Sequence, residues 1–307
     1  MSNWKKTRDR MAATRPAVEA KSEMLRAIRG YFLDNGFTEV ETPVLLEFPA
    51  LELNIDAERT SSGYLRTSPE LAMKKLLAAG YERVFEVGPC FRRGERGALH
   101  NPEYTMLEWY RAHAGYMDVL ADTRTLICRI SQDVLGSTRI THGKNEIELD
   151  GDWETMTVAE AFTRFAGWNP VVAFDQERFE LDLVSKVEPA LSKERPVVLM
   201  DYPADVAALA RLKPDNKSVA ERWELYVGGV ELANAFGELT DPEEQRVRFD
   251  ICSVERVSQG RESYSIDEEF MEALGEMPPA AGVALGVDRL LMLLTDSQSL
   301  DDVLPFR

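Results

Sequence analysis

The stretch that decides the fold of this chain is residues 83–112, RVFEVGPCFRRGERGALHNPEYTMLEWYRA. Its first ten and last nine residues are rich in the β-branched and aromatic side chains that favour strands. A polar loop with two glycines, residues 93–103, separates these runs. Two strands joined by a loop of this length predict an open hairpin, in which the strands pair antiparallel.

The segments on either side carry similar signals. A second hairpin is predicted at residues 221–241, where a Gly-Gly dipeptide divides two strand runs. Helical periodicity appears at 17–35 and 117–135, and a small-residue strand near 280–286 leads into an apolar helix. Strands paired by hairpins, with helices grouped apart, predict an α+β fold with an antiparallel β-sheet flanked by helices. GVALGVDR lacks the GxGxxG spacing, which disfavours a Rossmann fold.

The domain organisation follows from the absence of repeats, low-complexity tracts and flexible linkers, which predicts a single domain over residues 1–307. Residues from about 170 to 222 alternate helical and extended signals without a recognisable motif, and we predict that they form an insertion. Pro43 lacks a ladder N–H, so its extended segment should lie at a sheet edge or a subunit contact. In segment 64–80, a strand should lead into a helix with Ser68 as its N-cap.

Composition restricts the classes of function. The 36 basic and 53 acidic side chains give a formal charge of −17, which disfavours nonspecific binding to nucleic acid. No apolar run approaches the roughly 20 residues of a membrane span, and no secretion signal is evident, so a cytoplasmic protein is predicted. The three cysteines show no CxxC spacing, and the three histidines show no ligand-like spacing, which disfavours a zinc site. A metal should therefore lie among oxygen ligands.

The second strand of the first hairpin presents a mixed polar face. Side chains alternate along a strand, so Tyr104, Met106, Glu108 and Tyr110 should share one face. Such a face is either solvated or the floor of a ligand site. Arg92, together with the loop residues His100 and Asn101, favours the ligand site, because an arginine fork suits phosphate and a tyrosine ring can stack on a base.

Glu224, Glu231 and Glu238 lie at intervals of seven around the Gly-Gly turn. They are either ordinary surface acids or ligands for a hard cation, since Mg²⁺ is usually bound by one or two carboxylates together with substrate phosphates. Strict alternation puts Asn234 and Glu238 on one face and Glu231 on the other. If all serve one site, the strand must contain a bulge near Leu232.

Five ordered segments resemble the class II aminoacyl-tRNA synthetases, specifically the lysyl branch. FTEVETPVL (37–45) resembles motif 1, the dimer-forming element, FEVGPCFRRGERGALHNPEYTMLEWY (85–110) resembles motif 2, and GVALGVDR (282–289) resembles motif 3. YLRTSPELAMKKLL and ERWELYVGGVELANAFGELTD are similar to lysyl-type segments. The resemblance covers nearly the whole chain outside the predicted insertion and implies a class II catalytic domain that uses ATP and Mg²⁺ and forms a homodimer.

Within that branch the chain is most similar to the elongation factor P (R)-β-lysine ligases. Because the sequence begins almost directly with the catalytic domain, we expect the N-terminal anticodon-binding barrel of a lysyl-tRNA synthetase to be absent. Lysyl-tRNA synthetases typically read EIGNGF and GLGIGIDR, whereas this chain has Ala233 and Ala284 at the corresponding glycines. One methylene-sized change is worth about 1–3 kcal/mol of discrimination and can favour a β-amino over an α-amino substrate.

The resemblance also implies residue roles. Arg92 and Arg289 would be catalytic, Arg92 at the α-phosphate and reacting carboxylate and Arg289 at the γ-phosphate, while Glu224 and Glu231 would bind magnesium. The ATP site would comprise Arg92, Arg93, Gly94, Glu95, His100, Asn101, Tyr104, Glu231, Leu232, Gly286 and Arg289. The amino-acid pocket would comprise Ser68, Pro69, Glu70, Glu108, Tyr110, Ala233, Asn234, Glu238 and Ala284, with Glu238 paired to the ε-ammonium.

Two departures from the family pattern affect the nucleotide site. Many members read RNE where this chain has Arg92, Arg93 and Gly94, so the usual glutamate is absent and Glu95 is its candidate replacement. Ala235 stands where relatives have glycine. The implied activity is adenylation of β-lysine or lysine and transfer to a lysine side chain of elongation factor P. The alternatives are a truncated enzyme that charges tRNA with lysine, which the charge and the missing barrel disfavour, and a regulatory paralogue without catalysis.

Overall fold

The computed structural model describes residues 3–306. Its helices are α1 Asn3–Asp34, α2 Glu70–Ala78, α3 Tyr116–Leu135, α4 Val158–Phe165, α5 Gln176–Asp182, α6 Pro242–Ser258, α7 Glu268–Glu276 and α8 Val287–Leu294. Its strands are β1 Thr38–Glu39, β2 Leu45–Leu46, β3 Glu58–Thr60, β4 Gly63–Leu65, β5 Arg83–Phe91, β6 Glu103–Ala112, β7 Arg139–His142, β8 Asn145–Glu148, β9 Glu154–Thr157, β10 Val197–Pro203, β11 Val219–Val227, β12 Val230–Gly237 and β13 Ala280–Gly286.

The central sheet has eight strands in the order β1-β5-β6-β13-β12-β11-β10-β9. The strands from β5 to β10 pair antiparallel, and the open hairpin predicted at 83–112 is the β5–β6 pair. At both edges the pairing is parallel, β1 with β5 and β9 with β10. Helices lie between these parallel partners along the chain, and such crossovers return the next strand in the same direction. The predicted α+β class is confirmed, with a mixed rather than purely antiparallel sheet.

One face of the sheet packs on helices and forms the main core. Leu107 and Trp109 of β6 are fully buried there with apolar residues of α1, α3 and α8. Their neighbours Tyr104, Glu108 and Tyr110 point to the opposite face, which is the alternation that the sequence predicts. The sheet therefore separates an apolar core from a polar face.

Several predicted element boundaries need correction. Helix α1 begins at Asn3 and contains Pro16, whereas the sequence predicted a start at 17. A proline removes one helical hydrogen bond, but Arg10 holds the added turns against the C-terminal segment through the Leu304 carbonyl and Asp301. Helix α2 begins at Glu70, one residue later than predicted, so Pro69 occupies the N-cap position.

The segment predicted to be an insertion, 170–222, contributes β10 to the central sheet between β9 and β11. The segment that contains Pro43 was predicted to lie at a sheet edge or a subunit contact. Its strand β1 lies at the opposite edge of that sheet. None of the helices within residues 3–306 has the length and apolar character needed to cross a membrane.

Candidate active site

A cavity of about 300 Å³ opens on the polar face of β6, β11, β12 and β13. All but three of the predicted site residues line it: Ser68, Glu70, Arg92, Glu95, His100, Asn101, Tyr104, Glu108, Tyr110, Glu224, Glu231, Leu232, Ala233, Asn234, Glu238, Ala284, Gly286 and Arg289. Residues that are more than 200 positions apart in the chain therefore share one cleft.

Three predicted residues lie outside the cavity wall. Arg93 lies in the turn that follows Arg92, with its guanidinium 3.9 Å from carboxylate oxygens of Asp56 and Glu262. Gly94 occupies an exposed turn with φ +79°. Pro69 is buried at the start of α2. None of these three residues lines the cavity, so none is positioned to contact a ligand there directly.

The bulge predicted near Leu232 is present. Leu225 of β11 pairs with Ala233 of β12, but the next residue, Tyr226, pairs with Glu231, so Leu232 is the additional residue. A bulge of this kind reverses the alternation of side chains beyond it. It brings Glu231 to the same cavity as Glu238, seven residues farther along the strand, and a strand of that length spans about 20 Å.

One end of the cavity is acidic and contains a buried cation. Lys74 Nζ lies 2.6 Å from Glu70 Oε1 and 2.6 Å from Glu238 Oε2, and all three side chains are buried. Neither carboxylate oxygen of Glu238 accepts a well-aligned hydrogen bond from the described residues. With Glu108, this end holds three carboxyl groups and one ammonium, so it retains an excess of negative charge for a cationic ligand.

Burial of the carboxyl groups shifts the ionisation of this end. Burial, followed by repulsion from Glu70, raises the pKa of Glu108 to about 8, although Tyr110 OH and Ser68 Oγ donate hydrogen bonds of 2.5 and 2.8 Å to it. Burial likewise raises the pKa of Glu238 to about 7 against the attraction of Lys74. Near neutral pH, a cationic ligand would therefore favour loss of protons from both carboxyl groups.

The other end presents arginines. The Arg92 guanidinium lies over the Tyr104 ring, 5.2 Å from its centroid, and its nearest carboxylate oxygen is Glu95 Oε1 at 3.8 Å. Arg92 Nε is buried and has no hydrogen-bond partner within the described residues. Arg289 is fixed by the Glu231 carbonyl at 2.8 Å and by His100 Nε2 at 2.9 Å. Arginine donors that remain available in a cleft suit phosphate oxygens.

Glu224 and Glu231, the two carboxylates predicted to bind magnesium, both line the cavity. Glu224 accepts hydrogen bonds from Tyr202 OH at 2.5 Å, Tyr226 OH at 2.8 Å and Arg222 Nη2 at 2.6 Å, so its carboxylate is held in one orientation. Burial, followed by repulsion from Glu224, raises the pKa of Glu231. Two carboxylates that repel each other beside a phosphate site fit Mg²⁺, which also takes phosphate oxygens. In the described part of the chain, no cluster of three or more metal-ligating side chains occurs.

The sequence matches the family described as tRNA synthetases class II (D, K and N) over residues 6–307. The chain belongs to the class II tRNA synthetases. It is 36% identical over 321 residues to the lysine–tRNA ligase of Halalkalibacterium halodurans, 35% over 325 residues to that of Chromohalobacter salexigens and 34% over 321 residues to that of Bacillus subtilis. These alignments cover 93–95% of this chain but only 62–64% of each relative, so the chain spans less than two thirds of their length.

Sequence reasoning gave no role to several residues of this class II synthetase cavity or its surroundings, and four of them affect its charge or packing. Lys74 carried a usable signal, because it lies four residues after Glu70 on the same helix face. Arg222 lines the cavity and fixes Glu224, two residues along its own strand. Glu52 also lines the cavity and carried no motif or periodic signal, whereas Gly282 is the first residue of the motif 3 segment but was given no role.

Gly282 is required for close packing at the acidic end of the class II synthetase cavity. A Cβ built there would meet the Tyr110 ring at 2.2 Å and Glu238 Oε1 at 2.8 Å. We therefore expect Gly282→Ala to destabilise the protein by about 1–3 kcal/mol and to displace both side chains from the pocket. Urea unfolding, together with the KM for the amino acid, measures the two effects.

Gly275→Ala is the matched control, because a Cβ there would make only an ordinary contact with Pro242 Cγ at 3.6 Å. That variant should keep wild-type stability and KM. If Gly282→Ala behaved like Gly275→Ala, the proposed contact of Tyr110 and Glu238 with the substrate would be wrong.

Proposed function

We propose that this chain is an ATP-dependent ligase that activates a lysine-like amino acid as an acyl-adenylate. The observation that carries the proposal is the division of one cavity into an arginine end and an acidic end. The negative charge of a nucleoside triphosphate is complementary to Arg92 and Arg289, and the positive charge of a diamine is complementary to Glu70 and Glu238. The carboxylate of the amino acid then lies between these ends, next to the α-phosphate.

The nucleotide half of the reaction depends on charge and position. The attacking carboxylate is already ionised at neutral pH, so the first step needs no general base. Arg92 would stabilise charge at the α-phosphate and Arg289 at the γ-phosphate, with Tyr104 stacked on adenine and Asn101 at the nucleotide. A preorganised donor of this kind is worth about 3–4 kcal/mol in the transition state. Magnesium held by Glu224 and Glu231 would supply further positive charge at the phosphates.

The amino-acid half selects a long diamine. Glu238 would pair with the distal ε-ammonium, while Ser68, Glu70 and Asn234 would lie around the amino group near the reacting carboxylate. Two cationic groups would offset the negative charge that three carboxyl groups and one lysine leave at this end. An uncharged amino acid of the same length would form no ion pair with Glu238, which would keep only its contact with Lys74 at 2.6 Å among the described residues.

We further propose that (R)-β-lysine is the preferred isomer. Ala233 and Ala284 line the cavity on neighbouring strands, and Ala284 pairs with Asn234 next to Ala233. Ala284 shares a sheet face with Asn234 and Glu108, so its methyl group would narrow the pocket where relatives of the lysyl-tRNA branch typically have glycine. The Ala233 side chain packs in the main core, so its methyl group would act on the pocket only indirectly. Discrimination of about 1–3 kcal/mol between the β- and α-amino isomers is within reach of such a change.

The proposed acceptor is a lysine side chain of elongation factor P. The formal charge of −17 supports a protein acceptor over a polyanionic one, since it opposes binding to a phosphate backbone. A homodimer formed through the motif 1 segment, which contains the edge strand β1, is part of the same proposal. Incubation with ATP, each lysine isomer and elongation factor P, followed by mass spectrometry of the factor, tests it. An unmodified factor with every isomer would contradict it.

The second candidate is charging of tRNA with lysine. The curated relatives at 34–36% identity are lysine–tRNA ligases, which favours lysine as the substrate and tRNA as the acceptor. A direct aminoacylation assay with α-lysine and tRNA separates the candidates. Acylated tRNA, together with an unmodified elongation factor P, would decide for the second.

The pH dependence of binding follows from the acidic end. Because the pKa values of Glu108 and Glu238 are about 8 and 7, both groups are largely protonated at pH 6 in the empty cavity. A diammonium ligand favours their ionised forms, so binding should release about one proton at pH 7 and tighten as pH rises from 6 to 8. Titration calorimetry in buffers of different ionisation enthalpy measures this number. Proton uptake, or affinity that falls over this range, would contradict the assignment.

A further inference from the structure

Glu52 is a carboxyl group on the cavity wall that neither the motifs nor the proposed binding roles account for. It lies in an irregular segment between β2 and β3. The fully buried Arg256 of α6 fixes this segment by donating hydrogen bonds to the carbonyls of Glu52, Leu53 and Ile55, the last at 2.8 Å. The backbone that carries Glu52 is therefore held in place by a residue about 200 positions away.

The Glu52 carboxyl group has no hydrogen-bond or ion-pair partner among the described residues. Within residues 3–306 its side chain makes no hydrogen bond and no ion pair within 4.0 Å. In contrast, the carboxyl groups of the acidic end and of Glu224 have the partners described above, and Glu231 Oε2 lies 3.3 Å from Arg289 Nη1. Glu95 and Asp288, the remaining acids of the wall, pair with Arg92 at 3.8 Å and Lys21 at 2.7 Å.

Glu52 shares the cavity wall with residues of both ends, including Arg92 and Glu70. Among charged groups Arg92 has the largest influence on its ionisation, followed by Glu70, Arg222 and Arg256. Burial raises the pKa of Glu52 to about 7, and the attraction of Arg92 opposes that rise while the repulsion of Glu70 adds to it. The space between Arg92 and Glu70 is where the activated carbonyl of an acyl-adenylate would lie.

The transfer step requires a proton acceptor. A lysine amine has a pKa near 10.4, so at neutral pH the acceptor is mostly an ammonium ion and is not a nucleophile. We propose that Glu52 accepts this proton in the transfer step, an assignment that rests on the proposed function. The freed amine forms the C–N bond to the acyl carbon, the C–O bond to phosphate breaks, AMP leaves with the electron pair, and the second N–H proton passes to solvent.

Two nucleophiles separate base catalysis from binding. Hydroxylamine is unprotonated at neutral pH and captures an acyl-adenylate without a base, whereas a simple alkylamine is protonated. In Glu52→Gln we expect lysine-dependent ATP–pyrophosphate exchange and hydroxamate formation to stay within about twofold of wild type. Amide formation with the alkylamine, and with elongation factor P, should fall by about 100-fold or more. The rise of the wild-type amide rate through pH 7 should also disappear.

Glu47→Gln is the matched control, because Glu47 lies on the same segment but is exposed and outside the cavity. It should retain all activities, and Glu52→Asp should recover part of the amide rate. Equal losses with both nucleophiles, no loss with either, or a raised KM for the amino acid in exchange would each overturn the assignment. Absence of exchange in the wild type with every lysine isomer would instead contradict the proposed function, and the transfer step with it.

Discussion

Replacement of Arg92 by alanine is expected to reduce ATP–pyrophosphate exchange by about 1,000-fold while the protein remains folded. The side chain reaches the cavity with a buried Nε that has no hydrogen-bond partner within the described residues. Within the described residues its nearest carboxylate contact is Glu95 at 3.8 Å, and its guanidinium lies over the Tyr104 ring. Little stability depends on these contacts, so the loss should appear in the chemical step.

Arg93→Ala is the matched control for this prediction. The two arginines are adjacent in the chain, but Arg93 is exposed and directed to Asp56 and Glu262 at 3.9 Å. That variant should retain exchange within about twofold. Exchange near the wild-type rate in Arg92→Ala, with an unchanged far-ultraviolet spectrum, would remove Arg92 from the phosphate site.

Replacement of Glu238 by glutamine is expected to lower kcat/KM for lysine isomers by about 100-fold or more, with the KM for ATP unchanged. Glu238 is 1% exposed and lies at the far end of the cavity from the arginines, so a change there should not reach the nucleotide. Removal of one partner from a buried, hydrogen-bonded charge pair costs about 2–5 kcal/mol. Lys74 retains Glu70 at 2.6 Å, which limits the damage to the fold.

An uncharged analogue, norleucine, provides the ligand control. The weak ATP–pyrophosphate exchange that norleucine supports should be unchanged or improved in Glu238→Gln, because norleucine has no ε-ammonium group that Glu238 could bind. Glu221→Gln provides the protein control, since Glu221 is a buried carboxylate of β11 that pairs with Arg211 at 2.7 Å outside the cavity wall. An equal loss of kcat/KM for lysine and norleucine would show that Glu238 supports the fold and does not recognise the ε-ammonium group.

The fold was predictable where signals are local. The β5–β6 hairpin and the Gly228-Gly229 turn both follow from short stretches of sequence. The bulge at Leu232 was predictable for a different reason. Only an additional residue there lets Glu231 share a face with Glu238, so the chemistry of the segment required a backbone feature that the pairing register contains.

The remaining parts of the site depend on contacts between distant residues. Lys74 and Glu70 lie on the same helix. The second partner of Lys74, Glu238, directly follows strand β12, so only the folded chain brings these two residues together. Glu52 lies in an irregular segment whose position is set by Arg256 of α6. Alternation and periodicity describe one element at a time, so neither could locate a side chain that a distant arginine positions.

The central claim is that one cavity binds triphosphate at its arginine end and a long diamine at its acidic end. ATP–pyrophosphate exchange with (R)-β-lysine, α-lysine and norleucine, measured side by side, tests it most directly. We expect exchange with β-lysine, weaker exchange with α-lysine and little with norleucine. Exchange supported only by an amino acid that lacks a second amino group would contradict it.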